Sequence, residues 1–332
     1  MKDTTSESPT VNSAKKEQGR LGKALRSQGL FLMLFLLVAF FGSQAKEYFL
    51  TFDNLITILV GATALGIMAA AQTPLIISGG IDVSVGSVVA LTTVIVGKLL
   101  ATGMDSRLVV LIALAVGVAV GLLNGFIVVQ LGVNPFITTL GTMSFFSGLA
   151  FILSAGQTVS IRDDLFDWFL YTKPFNIPIL VIILFVIMGF ALFMERKTVV
   201  GRNIFALGGN REAARLSGVS IKALPLGLYA VSGFSAAIAG VILVTQLGAA
   251  SPQLGTSYLL SVVTAVILGG TSLAGGRGSI VGTAIAVGIL ATLSNGFAHL
   301  QLPSYGQTTA LGAALIIAVL VDQISQKSKS AK

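Results

Sequence analysis

The chain has 332 residues, of which 54% are hydrophobic and only 10% charged, against roughly 25% charged in an ordinary soluble domain. Its mean hydropathy is +0.92, which leaves too little polar surface to cover a water-facing fold, so a large soluble enzyme is excluded and the solvent for most of the chain is lipid. Cysteine is absent and His299 is the single histidine, which excludes disulfides, thiolate chemistry and metal sites built from Cys or several His; the net charge of +8 is not gathered into an aromatic-interleaved patch, so nucleic acid is not an expected partner.

The first 28 residues are polar, rich in Ser and Lys and without an apolar period, and read as a disordered cytoplasmic leader. A helix needs about 20 mostly apolar residues to cross the hydrocarbon. On that ruler the fold class is an all-α polytopic membrane protein of about ten spans: 29–44, 55–77, 83–102, 108–131, 134–154, 177–194, 224–247, 258–274, 279–298 and 304–322. The first run, followed by Ser43 and Ala45, has the look of a cleavable signal, but its leader is long and further spans follow, so it is read as an uncleaved span. A polar tail, 325–332, ends the chain, and the membrane domain is taken as 29–324.

Between the second and third spans lies IISGGIDVSVGS, residues 76–87. Asp82, with Ser84 assisting, reads either as the N-cap of a helix beginning near Val83 or as part of a broken helix lining a path, since irregular backbone at membrane depth must be buried in protein or face water. Residues 269–276 form a second Gly/Ser/Thr break. The loop 155–176 carries Arg162, Asp163, Asp164 and Asp167, a surface on which a soluble protein could dock. Its Phe166, Trp168, Phe169 and Tyr171 suit the headgroup level.

The loop 195–225, ERKTVVGRNIFALGGNREAARLSGVSIKALP, is too polar to cross lipid. Asn210 is placed to cap a two-turn helix over 211–217 and Gly218 to end it in the left-handed region. Arg211, Glu212 and Arg215 beside small Ala213 and Ala214 suit a close helix-in-groove contact with another protein. If ten spans exist with both termini cytoplasmic, this loop and nearly all cations face the cytoplasm. Only Lys46, Arg107, Arg162 and Lys173 fall in outer loops, with Lys98 near a boundary, as the positive-inside rule requires.

Glu212-Ala213-Ala214 followed by Gly218 resembles the E-A-A-x-x-x-G pattern in the coupling loop of ABC importer permeases, although Leu224-Pro225 follows sooner than in the general motif. Three longer stretches, GRNIFALGGNREAARLSGV (201–219), VILGGTSLAGGRGSIVGT (266–283) and ISGGIDVSVGS (77–87), resemble the sugar-importer permeases for ribose, arabinose, xylose, galactosides and autoinducer-2. The resemblance spans the chain from the first span to Asp322. It implies a non-catalytic permease subunit of the bacterial inner membrane, working as a homodimer or with a paralogue. It further implies a cytoplasmic ATPase that binds ATP and Mg, a periplasmic sugar-binding protein, and a monosaccharide cargo, with ribose or another pentose the best guess. Arg202, Gly209, Asn210, Glu212, Ala213, Ala214, Arg215 and Gly218 are then the expected ATPase contact. The chain has no G-x-x-x-x-G-K-[ST] of its own for phosphates.

A neutral sugar calls for hydrogen-bonding side chains along its path. Asp82, Ser84, Asn124, Thr271, Ser272 and Asn295 are the candidates, the two amides foremost, with Gln72, Thr73, Ser232 and Thr283 among the other polar residues in the spans. Gly117, Gly121 and Gly125 are read as permitting close helix approach. The alternative is an ion-coupled secondary transporter of a small polar solute. Such proteins usually keep acids or His within their spans, whereas here Asp82, Lys98 and Asp322 all map to span ends. A channel would show a ring of repeated selectivity residues, and none is visible.

Overall fold

The structure is a computed structural model that describes residues 29–44 and 47–301, with scattered positions between 305 and 316. The leader 1–28, the tail 325–332 and most of the tenth expected span lie outside the described residues. The helices are α1 (Gly29–Gln44), α2 (Phe52–Ile77), α3 (Val85–Ala101), α4 (Ser106–Val129), α5 (Pro135–Ser154), α6 (Asp164–Tyr171), α7 (Ile179–Lys197), α8 (Val199–Gly209), α9 (Arg211–Leu216), α10 (Ala223–Leu247), α11 (Tyr258–Leu268) and α12 (Ile280–His299). The only strands among the described residues, β1 (Val159–Ser160) and β2 (Ala249–Ala250), pair antiparallel.

Six helices, α2, α4, α5, α7, α10 and α12, are long and apolar enough to cross a membrane, and α1, α3 and α11 are shorter apolar helices. Each of the first nine expected spans therefore has a helix in its place. The expected span 258–274 stops at Leu268, because Gly269 and Gly270 end it: Gly270 has φ +97° and Thr271 N–H bonds back to Val266 C=O at 3.1 Å. Polar side chains fix the starts, with Thr51, Asp105, Asn134, Thr198, Asn210 and Ser279 each accepting from a first-turn N–H.

α3 and the C-terminal two thirds of α2 are buried almost all round, the mark of central helices. α5 and α7 instead expose Phe145, Ile152, Phe185 and Phe190, a surface suited to hydrocarbon. α4 lies on α10 with backbones in contact. A Cβ on Gly121 would sit 2.2 Å from Tyr229 C=O, and one on Gly117 2.5 Å from Gly233 C=O. The glycines spaced four apart do permit close approach.

One end of the bundle gathers the α2–α3, α4–α5, α7–α10 and α11–α12 connections. Gly276 N–H bonds Ile77 C=O at 2.8 Å, Ile280 N–H bonds Glu195 Oε2 at 2.6 Å, and Lys222 Nζ bonds Gln130 Oε1 at 3.2 Å. The other end holds α6, the β1–β2 pair and the start of α2.

Candidate functional site: the loop end of the bundle

α8, absent from the sequence expectation, seats this region. Its Ile204 is buried with Leu75 and Ile77 of α2 and Leu228 and Tyr229 of α10, and its Leu207 is buried as well. After it the chain turns into α9, a helix at the expected place and one residue shorter than the expected 211–217. Asn210 Oδ1 accepts from Ala213 N–H at 2.9 Å. Gly218 has φ +81°, and Val219 N–H closes back on Ala214 C=O at 3.0 Å, a Schellman ending.

Ala214 is buried beneath α9, whereas Arg202, Gly209, Asn210, Arg211, Glu212, Ala213, Arg215 and Gly218 are exposed. Glu212 and Arg215 form a two-point ion pair, at 2.6 Å from Nη2 to Oε1 and 3.0 Å from Nε to Oε2, and the guanidinium holds the Glu212 carboxyl below its ordinary pKa. Leu216, not singled out in the sequence, is 74% exposed at the end of this polar helix.

Behind α9 the three resembling stretches meet through backbone. A Cβ on Gly208 would lie 1.7 Å from Ile77 C=O and 2.6 Å from Gly276 N. One on Gly276 would lie 3.0 Å from Gly209 Cα, and one on Gly275 3.4 Å from Gly79 Cα. No side chain separates α8, the end of α2 and the 269–279 loop. Ile77 C=O, one of the carbonyls a helix end leaves without an internal partner, is satisfied here by Gly276 N–H.

Asp82 and Ser84 lie just beyond this contact, both buried. Asp82 Oδ1 accepts from Ser84 N–H at 2.9 Å and from the Ser84 hydroxyl at 2.6 Å, and its Oδ2 accepts from the Ser232 hydroxyl of α10 at 2.6 Å. Gln72 Nε2 donates to Asp82 C=O and to Ser232 Oγ, both at 3.0 Å. Asn124 Nδ2 donates to Ser84 Oγ at 2.8 Å and its Oδ1 accepts from the Thr142 hydroxyl at 2.8 Å. The network around Asp82 thus ties α2, α4, α5 and α10 to the start of α3, with the carboxylate itself joining α10 to that start. Asp82 does bond Ser84 N–H as an N-terminal acid should, but α3 begins at Val85 rather than near Val83.

The remaining expected residues separate. Thr271 and Ser272 are buried in the 269–279 loop, with Ser272 C=O accepting from Gly275 N–H at 3.0 Å. Asn295 is at the opposite end, in a reciprocal amide pair with Asn54 (2.8 and 3.1 Å), and His299 bonds Asn54 Oδ1 at 3.0 Å. The length of α2 from Asn54 to Ile77 puts roughly 35 Å between the Asn295 and Asp82 clusters. Arg162, Asp164 and Asp167 are exposed on or beside α6, but Asp163 caps it, accepting from Leu165 N–H at 3.0 Å and from the Ser106 hydroxyl. A cavity of about 480 Å³ between α2, α7, α8 and α10 is lined by apolar side chains except at Glu195 and Ser235, a lining that offers a sugar few partners. Gly208, Thr142 and Glu195 were not singled out in the sequence. The double glycine in ALGGN was the one visible signal.

Residues 54–321 match the family described as branched-chain amino acid transport system / permease component. The chain is 38% identical over 306 residues to the ribose import permease protein RbsC of Escherichia coli (strain K12), covering 91% of this chain and 95% of that one. It is 36% identical over 300 residues to the D-allose transport system permease protein AlsC of the same strain (90% and 92%). Against the autoinducer 2 import system permease protein LsrD of Escherichia coli O9:H4 (strain HS), it is 36% identical over 268 residues (79% and 81%). No solved structure matches the chain. A multi-pass helical chain, matched from the first turn of α2 almost to its end, belongs to this family of transport-system permease components.

Proposed function

We propose that the protein is the membrane subunit of an ATP-driven importer of a neutral monosaccharide, ribose or another pentose, and that α9 is the handle on which a separate ATPase pulls. The observation that carries this is α9 itself: a six-residue helix capped at both ends, anchored by one buried alanine and otherwise exposed, carrying the E-A-A-x-x-x-G pattern and ending in exposed Leu216. Arg202, Gly209, Asn210, Glu212, Ala213, Ala214, Arg215 and Gly218, with Leu216 added, form the docking surface. The ATPase holds ATP and Mg; this chain makes and breaks no covalent bond. Three import permeases named for ribose, allose and autoinducer 2 support a sugar-like cargo. An amino-acid zwitterion needs opposed charges to hold it, whereas the acid at the loop end, Asp82, is already met by three donors.

The loop end carries Arg196, Lys197, Arg202, Arg211, Arg215, Lys222 and Arg277, which supports a cytoplasmic orientation for it and, with ten spans, for both termini. The opposite end then faces the periplasm, where Arg162, Asp164 and Asp167 meet a sugar-binding protein. A second copy or a paralogue completes the path, in the inner membrane. Closure of the ATPase pair on nucleotide moves α9, and the bundle switches between outward and inward access according to which state each partner binds better.

Glu212→Arg combined with Gly218→Pro tests this. Proline cannot adopt φ near +81°, and the reversed charge opposes the docking surface. The expected result is normal membrane insertion, no co-purifying ATPase and sugar uptake reduced to background. Uptake should also persist when the ion gradient is collapsed at constant ATP. Uptake that follows the gradient alone would instead establish an ion-coupled secondary transporter.

A further inference from the structure

The 77–84 turn is held at both ends by different parts of the molecule. At its start, Ile77 C=O touches Gly208 of α8 and accepts from Gly276 N–H, so the backbone that leads into α9 bears directly on the backbone that ends α2. At its finish, α10 grips the turn twice from one face. Tyr229 OH donates to Ile81 C=O at 3.2 Å, and Ser232, one helical turn on, donates to the Asp82 carboxylate at 2.6 Å. Asn124 of α4 reaches the same carboxylate through Ser84. Pro74, in the last turn of α2, donates no hydrogen bond to the carbonyl a turn earlier, which leaves α2 a bending point just before the turn.

Contacts between close-packed backbones are stiff, because no side-chain rotamer can absorb a displacement. A shift of α8 against Ile77 therefore reaches the turn undiminished. The Asp82 carboxylate then passes the shift to α10 through the Ser232 hydroxyl and to α4 through Ser84 and Asn124, and the glycine-to-backbone contact between α4 and α10 couples the two helices.

Resting on the reading of α9 as the ATPase handle, we propose that the 77–84 turn is the relay between that handle and the membrane bundle. Gly208 at one end and Asp82 with Ser232 at the other are positioning residues for transport. They touch neither nucleotide nor cargo, and they set how much of each hydrolysis event becomes movement of α4 and α10.

The test uses the complex of the full chain with its ATPase and binding protein in liposomes, following ATP hydrolysis and uptake of whichever of ribose, allose or xylose the wild-type complex carries best. Gly208→Ala is expected to keep the ATPase bound and hydrolysing within about twofold of wild type while uptake per ATP falls about tenfold, a size typical of lost coupling. Ser232→Ala, which removes one hydroxyl and shifts no backbone, is expected to lower uptake per ATP about fivefold. Gly189→Ala, whose methyl enters open space, should match wild type. A mere loss of folding would reduce hydrolysis and uptake together. If Gly208→Ala does not assemble, Ser232→Ala carries the test alone. An unchanged uptake-to-hydrolysis ratio in the variants that assemble overturns the relay. ATP-independent uptake by the wild-type complex overturns the importer reading itself, a result the variants cannot mimic.

Discussion

The two ends of the bundle are tied by different means. At the loop end, glycines at 208, 209, 275 and 276 bring three backbones together, and one carboxylate collects donors from α10 and the start of α3. At the opposite end, Asn54 joins Asn295, His299 and Phe49 C=O through amide and ring bonds, while α6 and the β1–β2 pair lie across the surface. Side-chain bonds can be lost one at a time with local consequences, and flexible chains take up slack. Backbone contact leaves no slack, so the loop end is suited to passing motion on and the far end to holding helices in place.

The sharpest way to break this comparison is Asp82→Ala. It removes the acceptor for three donors from α3 and α10, and unpaired buried donors cost about 1–3 kcal/mol each. Several kcal/mol of stability should therefore disappear, read as a large drop in the unfolding midpoint of the solubilised protein. Asn54→Ala at the far end should cost less, about 1–2 kcal/mol, because interhelical hydrogen bonds within membranes average roughly 0.6 kcal/mol. Its uptake per ATP should stay at the wild-type value. A coupling defect in Asn54→Ala, or none in the loop-end variants, would erase the distinction between the ends.

Local codes were legible in the sequence and distant contacts were not. Asn210 and Gly218 announced α9 because a cap and a left-handed ending depend on a few neighbouring residues. The span glycines 117, 121 and 125 announced a close helix contact, but not that α10 was the partner. Gly208 gave no sign that it meets Ile77, and Asp82 none that Ser232 bonds it, since those pairings depend on the order in which helices pack. Asn124 and Asn295 share the same amide chemistry, although Asn124 lies towards the loop end of α4 and Asn295 towards the far end of α12. Alternation of the spans already implied that separation. α8 leaves little trace in the sequence because its apolar face, Ile204 and Leu207, is short and set among polar residues.

The smallest expected effect lies on α6, where the proposed docking of a binding protein would divide the acids of that surface by role. Asp163 caps α6 and holds Ser106, so Asp163→Ala should cost about 1 kcal/mol, the usual value of an N-cap, with little change in affinity for the binding protein. Asp164 and Asp167 are exposed and bear no such load. Charge reversal at both should leave stability alone and slow association with the binding protein severalfold at low salt, the difference shrinking as ionic strength rises, because exposed charges act mainly on encounter rates. A titration of binding protein against the reconstituted chain at two salt concentrations reads this. If Asp163→Ala weakened binding more than the double reversal did, the shape of α6 rather than its charge would be what the partner recognises, and the far end too would be working through its backbone.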